Sequence, residues 1–140
     1  MALEPHLDFR DDDPAYRQTI VDAQETLPEF RALLRLPGEA NALVCIKTML
    51  TVGEAAANVW LLIIKPTKGG FFASVFEIPG DFPDVEVNDR FEVADDDVLD
   101  WMYNMDGLLH GGYSLRFQRS LLPPDQHPWF DERIGVREYV

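Results

Sequence analysis

Ala42-Leu43-Val44-Cys45-Ile46-Lys47-Thr48-Met49-Leu50 is almost wholly apolar and rich in β-formers, which reads as a central strand. Val52-Gly53 breaks it. Asn58-Val59-Trp60-Leu61-Leu62-Ile63-Ile64-Lys65 is a second strand of the same kind, and Pro66-Thr67-Lys68-Gly69-Gly70 is a turn by composition. Phe71 to Ile78 is the third strand and closes a hairpin with the second.

Upstream of this block the period changes from strand to helix. Asp13-Pro14 opens a helix, since aspartate suits the N-cap and proline the first helical position. Tyr16, Ile20, Ala23, Leu27, Phe30 and Leu34 follow at spacings of four and three and share one face. Pro28 lies inside the run, and Thr26-Leu27-Pro28-Glu29 has the form of a capping box. A kink or restart is expected there, with the second piece ending near Leu36-Pro37-Gly38. Residues 1–12 read as an irregular lead-in.

Downstream, Pro79-Gly80-Asp81-Phe82-Pro83 is a loop, and Asn88-Asp89 turns into a fourth strand from Arg90 to Val93. Asp95-Asp96-Asp97 caps a short helix, with Val98, Trp101, Met102 and Met105 at helical spacing and Gly107 ending it. Tyr113, Leu115 and Phe117 alternate with polar residues and read as a fifth strand. Pro123-Pro124-Asp125 ends the regular part, and residues 123–140 are a tail whose Trp129 and Phe130 tuck against the body. The expected fold is α+β: a kinked N-terminal helix on a mainly antiparallel, curved sheet of about five strands, with one short helix before the last strand. Residues 13–122 form the domain.

The chain has 140 residues, 46% of them hydrophobic and 11% aromatic, which is enough apolar surface for a core and excludes a disordered chain. Cys45 is the sole cysteine, so no internal disulfide forms. Met1-Ala2-Leu3-Glu4-Pro5-His6 lacks the basic and apolar regions of a secretion signal. The longest apolar stretch, Ala55 to Ile64, is too short for a bilayer, so a cytoplasmic location is expected. The net charge is −13, and residues 81–106 hold ten acids against Arg90 alone, or −9 of that total. Such a field repels nucleic acid and anionic membrane and attracts a basic protein. A solvated face that serves only solubility is the competing reading.

The stretch from Asp13 to Arg116 resembles an uncharacterised bacterial family, the YegJ-like domain of unknown function 2314. Three features carry the resemblance. They are the opening helix through Thr26-Leu27-Pro28-Glu29-Phe30; Lys47 followed by Asn58-Val59-Trp60-Leu61; and Asp100-Trp101-Met102-Tyr103, Gly107 and Gly111-Gly112-Tyr113-Ser114-Leu115-Arg116. Two positions depart from the pattern. The glutamate–histidine pair before the tryptophan is Ala57-Asn58 here, which removes any polar role of that pair, and the glycine–aspartate turn is Asn88-Asp89. The resemblance implies a fold but no activity.

No residue set spells out chemistry. His6, His110 and His127 lack metal-ligand spacing, and no metal or cofactor is expected. Cys45, mid-strand between Val44 and Ile46, reads as a small core residue. No Asp-x-Asp-x-Asp-Gly loop is present, and Gly69-Gly70 and Gly111-Gly112 lack a following Gly-Lys-Ser, which leaves turns. Lys47, Trp60, Asp100, Trp101, Gly111, Gly112 and Arg116 form a candidate structural motif. Within it Asp100 either pairs with Arg116 or accepts bonds from the Gly111-Gly112 turn. The expected function is binding of a basic partner, in the manner of an immunity protein or antitoxin, through Asp84, Glu86, Asp95, Asp96 and Asp97. The alternative is a small-ligand site or enzyme cleft near Trp101, His110 and Arg116.

Overall fold

The structure, a computed structural model, describes residues 13–36, 42–78, 82 and 85–140. The lead-in, Pro37-Gly38, His6, Asp84 and, apart from Phe82, the Pro79–Pro83 loop lie outside the described residues.

The chain opens with α1 (Pro14–Glu25), whose first turn is capped by the Asp13 carboxylate accepting from the Ala15 amide at 2.8 Å. The helix stops at Thr26 and restarts as α2 (Leu27–Leu34), where Pro28 forces the break. The capping box expected at this point does not form. The Thr26 hydroxyl donates back to the Asp22 carbonyl (2.8 Å) and accepts the Trp101 indole N–H (3.0 Å). Tyr16, Ala23, Leu27 and Phe30 are buried and Ile20 and Leu34 half-buried, as one apolar helix face requires.

Next come β1 (Ala42–Val52), β2 (Ala55–Thr67), β3 (Gly70–Val75) and β4 (Arg90–Ala94). They are followed by β5 (Asp100–Met105), β6 (Leu108–Gly111), α3 (Tyr113–Ser120), α4 (His127–Ile134) and β7 (Glu138–Tyr139). Among the described residues, seven strands lie in the order β4-β3-β2-β1-β5-β6-β7. Every pairing is antiparallel except β6 with β7. The architecture is α+β on a mostly antiparallel sheet, with β1 at its centre.

Two elements near the end have the opposite type to that expected. Val98–Met105 enters a strand, β5, not a helix. Asp100 to Asn104 are all buried because both faces of the sheet are covered there, and such a strand has no polar face to betray a period of two. Asp95–Asp97 therefore form a single 3-10 turn and cap no α-helix. Tyr113–Gln118, expected as the last strand, lies in α3. Its alternation is a coincidence of spacing: Tyr113 and Phe117 also stand four apart, and Ser114, Leu115 and Gln118 bury one helical face. The strand thus precedes the helix. With β6 and β7 added, the sheet has seven strands instead of five.

Side chains alternate between two core layers, one on each face. Ile46, Leu61, Trp101 and Tyr103 point to the layer closed by α2, where Phe30 stacks on Trp101 at 4.9 Å between ring centroids. Cys45, Trp60, Met102 and Leu109 point to the other layer, closed by Leu115 of α3 and by Phe130, Ile134 and Val136. Helices thus cover both faces. The tail supplies α4 and an edge strand; Phe130 is buried, while Trp129 stays half in solvent.

Candidate functional site

The motif residues meet where β1 crosses the start of β5. Register places Lys47 opposite Trp60 on one side and opposite Asp100 on the other, so the three form one row across β2, β1 and β5. Lys47 is 2% exposed and Asp100 fully buried. Asp100 does not pair with Arg116. Its carboxylate instead receives the backbone N–H groups of Trp101 (2.8 Å), Tyr113 (3.1 Å) and Ser114 (2.8 Å), and the Ser114 hydroxyl (2.6 Å). Two of those amides belong to the first turn of α3, where free N–H groups point outward, so Asp100 caps that helix from a neighbouring strand.

The Lys47 ammonium lies 3.4 Å from the Ser114 hydroxyl and over the rings of Tyr16 and Trp60, at 5.6 and 5.8 Å. Burial pushes the Asp100 carboxyl up to about 6, against the downward pull of its Ser114 bonds, Lys47 and the Trp101 amide. This buried knot ties α3 to the middle of the sheet.

Gly111 and Gly112 make the turn that delivers α3 to Asp100. Both adopt positive φ, +72° and +65°. A Cβ on Gly111 would stand 2.5 Å from the Trp101 carbonyl and 2.6 Å from its ring, so only glycine fits. The Gly112 amide donates to the Trp101 carbonyl at 2.7 Å. Arg116 binds main chain instead of a carboxylate. Its Nε reaches the Gly111 carbonyl (2.8 Å), and its Nη2 reaches Leu109 (3.2 Å) and Val140 (2.8 Å). No sequence signal pointed to this use of Arg116, because carbonyl acceptors have no residue type.

The acidic residues divide by role. Asp95 belongs to the fold: its carboxylate takes the Arg31 guanidinium at 2.7 Å, while Arg31 also bonds the carbonyls of Thr67 and Gly70 and stacks on Phe71. Gln24 donates to the carbonyls of Asp95 and Val98, and the Thr48 hydroxyl to that of Asp97, so three elements clamp the acidic turn. Glu86, Asp96 and Asp97 are exposed and form no ion pair among the described residues.

Asp96 and Asp97 stand over a groove of about 330 Å³, lined also by Thr48, Met49 and Leu50 of β1 and by Phe91, Glu92 and Val93 of β4. Both strands present a free edge there. β4 is the last strand of the sheet, and β1 beyond Lys47 has no ladder partner on the β5 side among the described residues. Met49 is 57% exposed.

Trp101, His110 and Arg116 share a second, larger cleft, of about 590 Å³, beside α2. His110 faces Tyr103 across the β5–β6 ladder. Cys45 is fully buried, and burial raises its thiol well above the ordinary value, which disfavours the thiolate. Among the described residues, no three His, Cys, Asp or Glu side chains are placed to hold a metal ion, and no helix is long and apolar enough to cross a membrane.

A family described as "Uncharacterized protein conserved in bacteria (DUF2314)" matches residues 13–137. The "Uncharacterized protein YegJ" of Escherichia coli (strain K12) is 26% identical over 70 residues, which is 50% of this chain and 46% of that protein. The matched stretch thus spans under half of that relative's length. No solved structure matches the chain.

Proposed function

The chain belongs to the DUF2314 family of bacterial proteins, and we propose that it is a non-catalytic binding protein that takes an extended, basic segment of a partner protein into the acidic groove between β1 and β4. One observation carries this reading: two free strand edges border a single groove whose rim holds Glu92, Asp96 and Asp97, and whose lining contains no lysine or arginine. A free edge offers unpaired main-chain donors and acceptors, which an extended chain satisfies as an added strand. Natural edges are commonly guarded by lysine or proline; this one is bordered by carboxylates, which favour a cationic strand and repel an acidic one. The groove spans three residues of each bordering strand, or roughly 10 Å at about 3.3 Å per residue. The clamps from Gln24, Arg31 and Thr48 hold the acidic turn in place before binding, which lowers the ordering cost. A basic partner blocked at such a segment fits the immunity-like or antitoxin-like role.

The test is a titration with a fluorescein-labelled, eight-residue alternating lysine–valine peptide, read by anisotropy and by amide exchange. The expected result is saturable binding that weakens with salt, with slowed exchange at Thr48–Val52 and Arg90–Ala94. Asp96→Asn with Asp97→Asn should lower affinity by about tenfold, and Met49→Lys by more. Binding that leaves exchange at both strands unchanged would overturn strand addition, and no binding at low salt would overturn the acidic groove itself.

A further inference from the structure

The loop between β5 and β6, Asp106-Gly107, is the one place in the chain where an aspartate or asparagine precedes glycine. Met105 pairs with Leu108 across it, and both loop residues have positive φ, +49° and +91°, so the hairpin closes on a type I′ turn. An aspartate before glycine is open to succinimide chemistry, because glycine puts no Cβ in the path of attack. The Gly107 nitrogen bonds to the Asp106 carboxyl carbon, while that carboxyl, in its protonated form, loses its hydroxyl as water together with the amide proton. A second water then opens the ring. Opening at the side-chain carbonyl restores aspartate, and opening at the main-chain carbonyl leaves isoaspartate, with the chain routed through Cβ.

The Asp106 side chain is 76% exposed, so burial does not shield its carboxyl. The other reactant is the one that is held. The Gly107 N–H donates to the Asn104 side-chain oxygen at 2.8 Å in a buried bond, and the nitrogen must give up that proton to attack. Asn104 is buried, and its own NH₂ donates to the Gly135 carbonyl at 3.1 Å, which fixes the direction of its acceptor. At the other end of the same peptide unit, the Asp106 carbonyl accepts the Arg137 guanidinium twice, at 3.0 and 2.6 Å. The Gly107 carbonyl in turn accepts the amides of Arg137 (2.7 Å) and Glu138 (3.1 Å). The unit that must turn its nitrogen towards the carboxyl carbon is therefore tied at both ends, by β5 and by the segment that leads into β7.

We propose that Asp106 is a latent site of isoaspartate formation, closed in the folded chain because Asn104 and Arg137 hold the two ends of the Asp106–Gly107 peptide unit, and opened when the segment carrying Arg137 and β7 leaves β6. The modification is one-way for the fold. Isoaspartate adds a carbon to the main chain inside a tight turn, and the register of Met105 with Leu108 has no place for it. A chain that stays open there long enough to react is marked, and its hairpin does not close again in the same register. The site shares no residue with the lining of the acidic groove.

The experiment incubates the full chain at neutral pH, folded and in guanidinium chloride, and follows isoaspartate at Asp106 by peptide mapping with electron-transfer fragmentation. The expected outcome is formation in denaturant at least about tenfold faster than in the folded chain. Asn104→Ala should raise the folded rate about fivefold, the equivalent of one hydrogen bond. Arg137→Ala, at an exposed position, should raise it by a similar factor, and carries the test if Asn104→Ala folds poorly. Arg31→Met, which weakens a distant part of the fold, should leave the rate unchanged. No isoaspartate in denaturant would overturn the site. Equal rates in the folded and unfolded chain, or folded rates unmoved by both Asn104→Ala and Arg137→Ala, would overturn its closure by these residues. An equal rise in Arg31→Met would overturn it too, by assigning the protection to global stability.

Discussion

Replacing Asp100 by asparagine tests the polar knot at the centre of the fold. One oxygen of Asp100 accepts the Trp101 and Tyr113 amides, and an asparagine oxygen can keep both. The other oxygen accepts the Ser114 amide and hydroxyl, and an NH₂ group there meets a donor with a donor. An unsatisfied buried amide costs about 1–3 kcal/mol. Asp100→Asn should therefore lose about 1–3 kcal/mol at pH 7, measured by urea unfolding with tryptophan fluorescence and far-ultraviolet circular dichroism.

The pH dependence has a definite sign. The folded carboxyl titrates near 6 and the ordinary one at 3.8. Between those values the folded chain holds more protons than the unfolded one, so stability from this group falls as pH rises through about 6 and is fullest below about 4. The variant lacks the titration, so the wild-type advantage should widen by on the order of 2–3 kcal/mol from pH 7 to pH 4. Lys47→Met combined with Asp100→Asn should cost less than the sum of the two single changes by at least about 1 kcal/mol. A loss under about 1 kcal/mol for Asp100→Asn, or strict additivity in the pair, would refute the knot.

Three further outcomes follow from the same geometry. Gly111→Ala should cost at least about 3 kcal/mol in urea unfolding, because the new methyl enters the space of the Trp101 carbonyl and ring at a positive φ; a loss below about 1 kcal/mol would mean the turn can move. Arg31→Met should cost about 1–2 kcal/mol by thermal or urea unfolding, since Arg31 and Asp95 are both partly in solvent and the main loss is the two carbonyl bonds; unchanged stability would remove Arg31 as a clamp of the acidic turn. Cys45 should resist a disulfide-exchange reagent in the native protein and react fully in denaturant, and rapid native labelling would contradict its burial.

The helix pair and the first four strands were readable because each carries a local signal that the tertiary structure did not need to overrule. The break at Pro28 removes a backbone donor wherever the helix lies, and Asn88 enters its turn at φ +76°, a conformation asparagine tolerates. The motif residues were visible as a set, but not their partners. Lys47 and Asp100 are 53 positions apart and become neighbours only through strand register. The acidic segment was legible as charge, but not as Asp95 spent on Arg31 against Asp96 and Asp97 left in solvent.

By itself, then, the sequence determined the elements that announce themselves over a few residues: the capped and broken helix, the apolar strands, the turns, and the −9 carried by residues 81–106. Only the tertiary structure decided that Asp100–Met105 is a strand and Tyr113–Ser120 a helix. The first is buried on both faces, which erases its period. The second begins where a carboxylate on that strand caps its free amides. Each of these elements is fixed by a partner distant in the chain, and such a partner leaves no local trace.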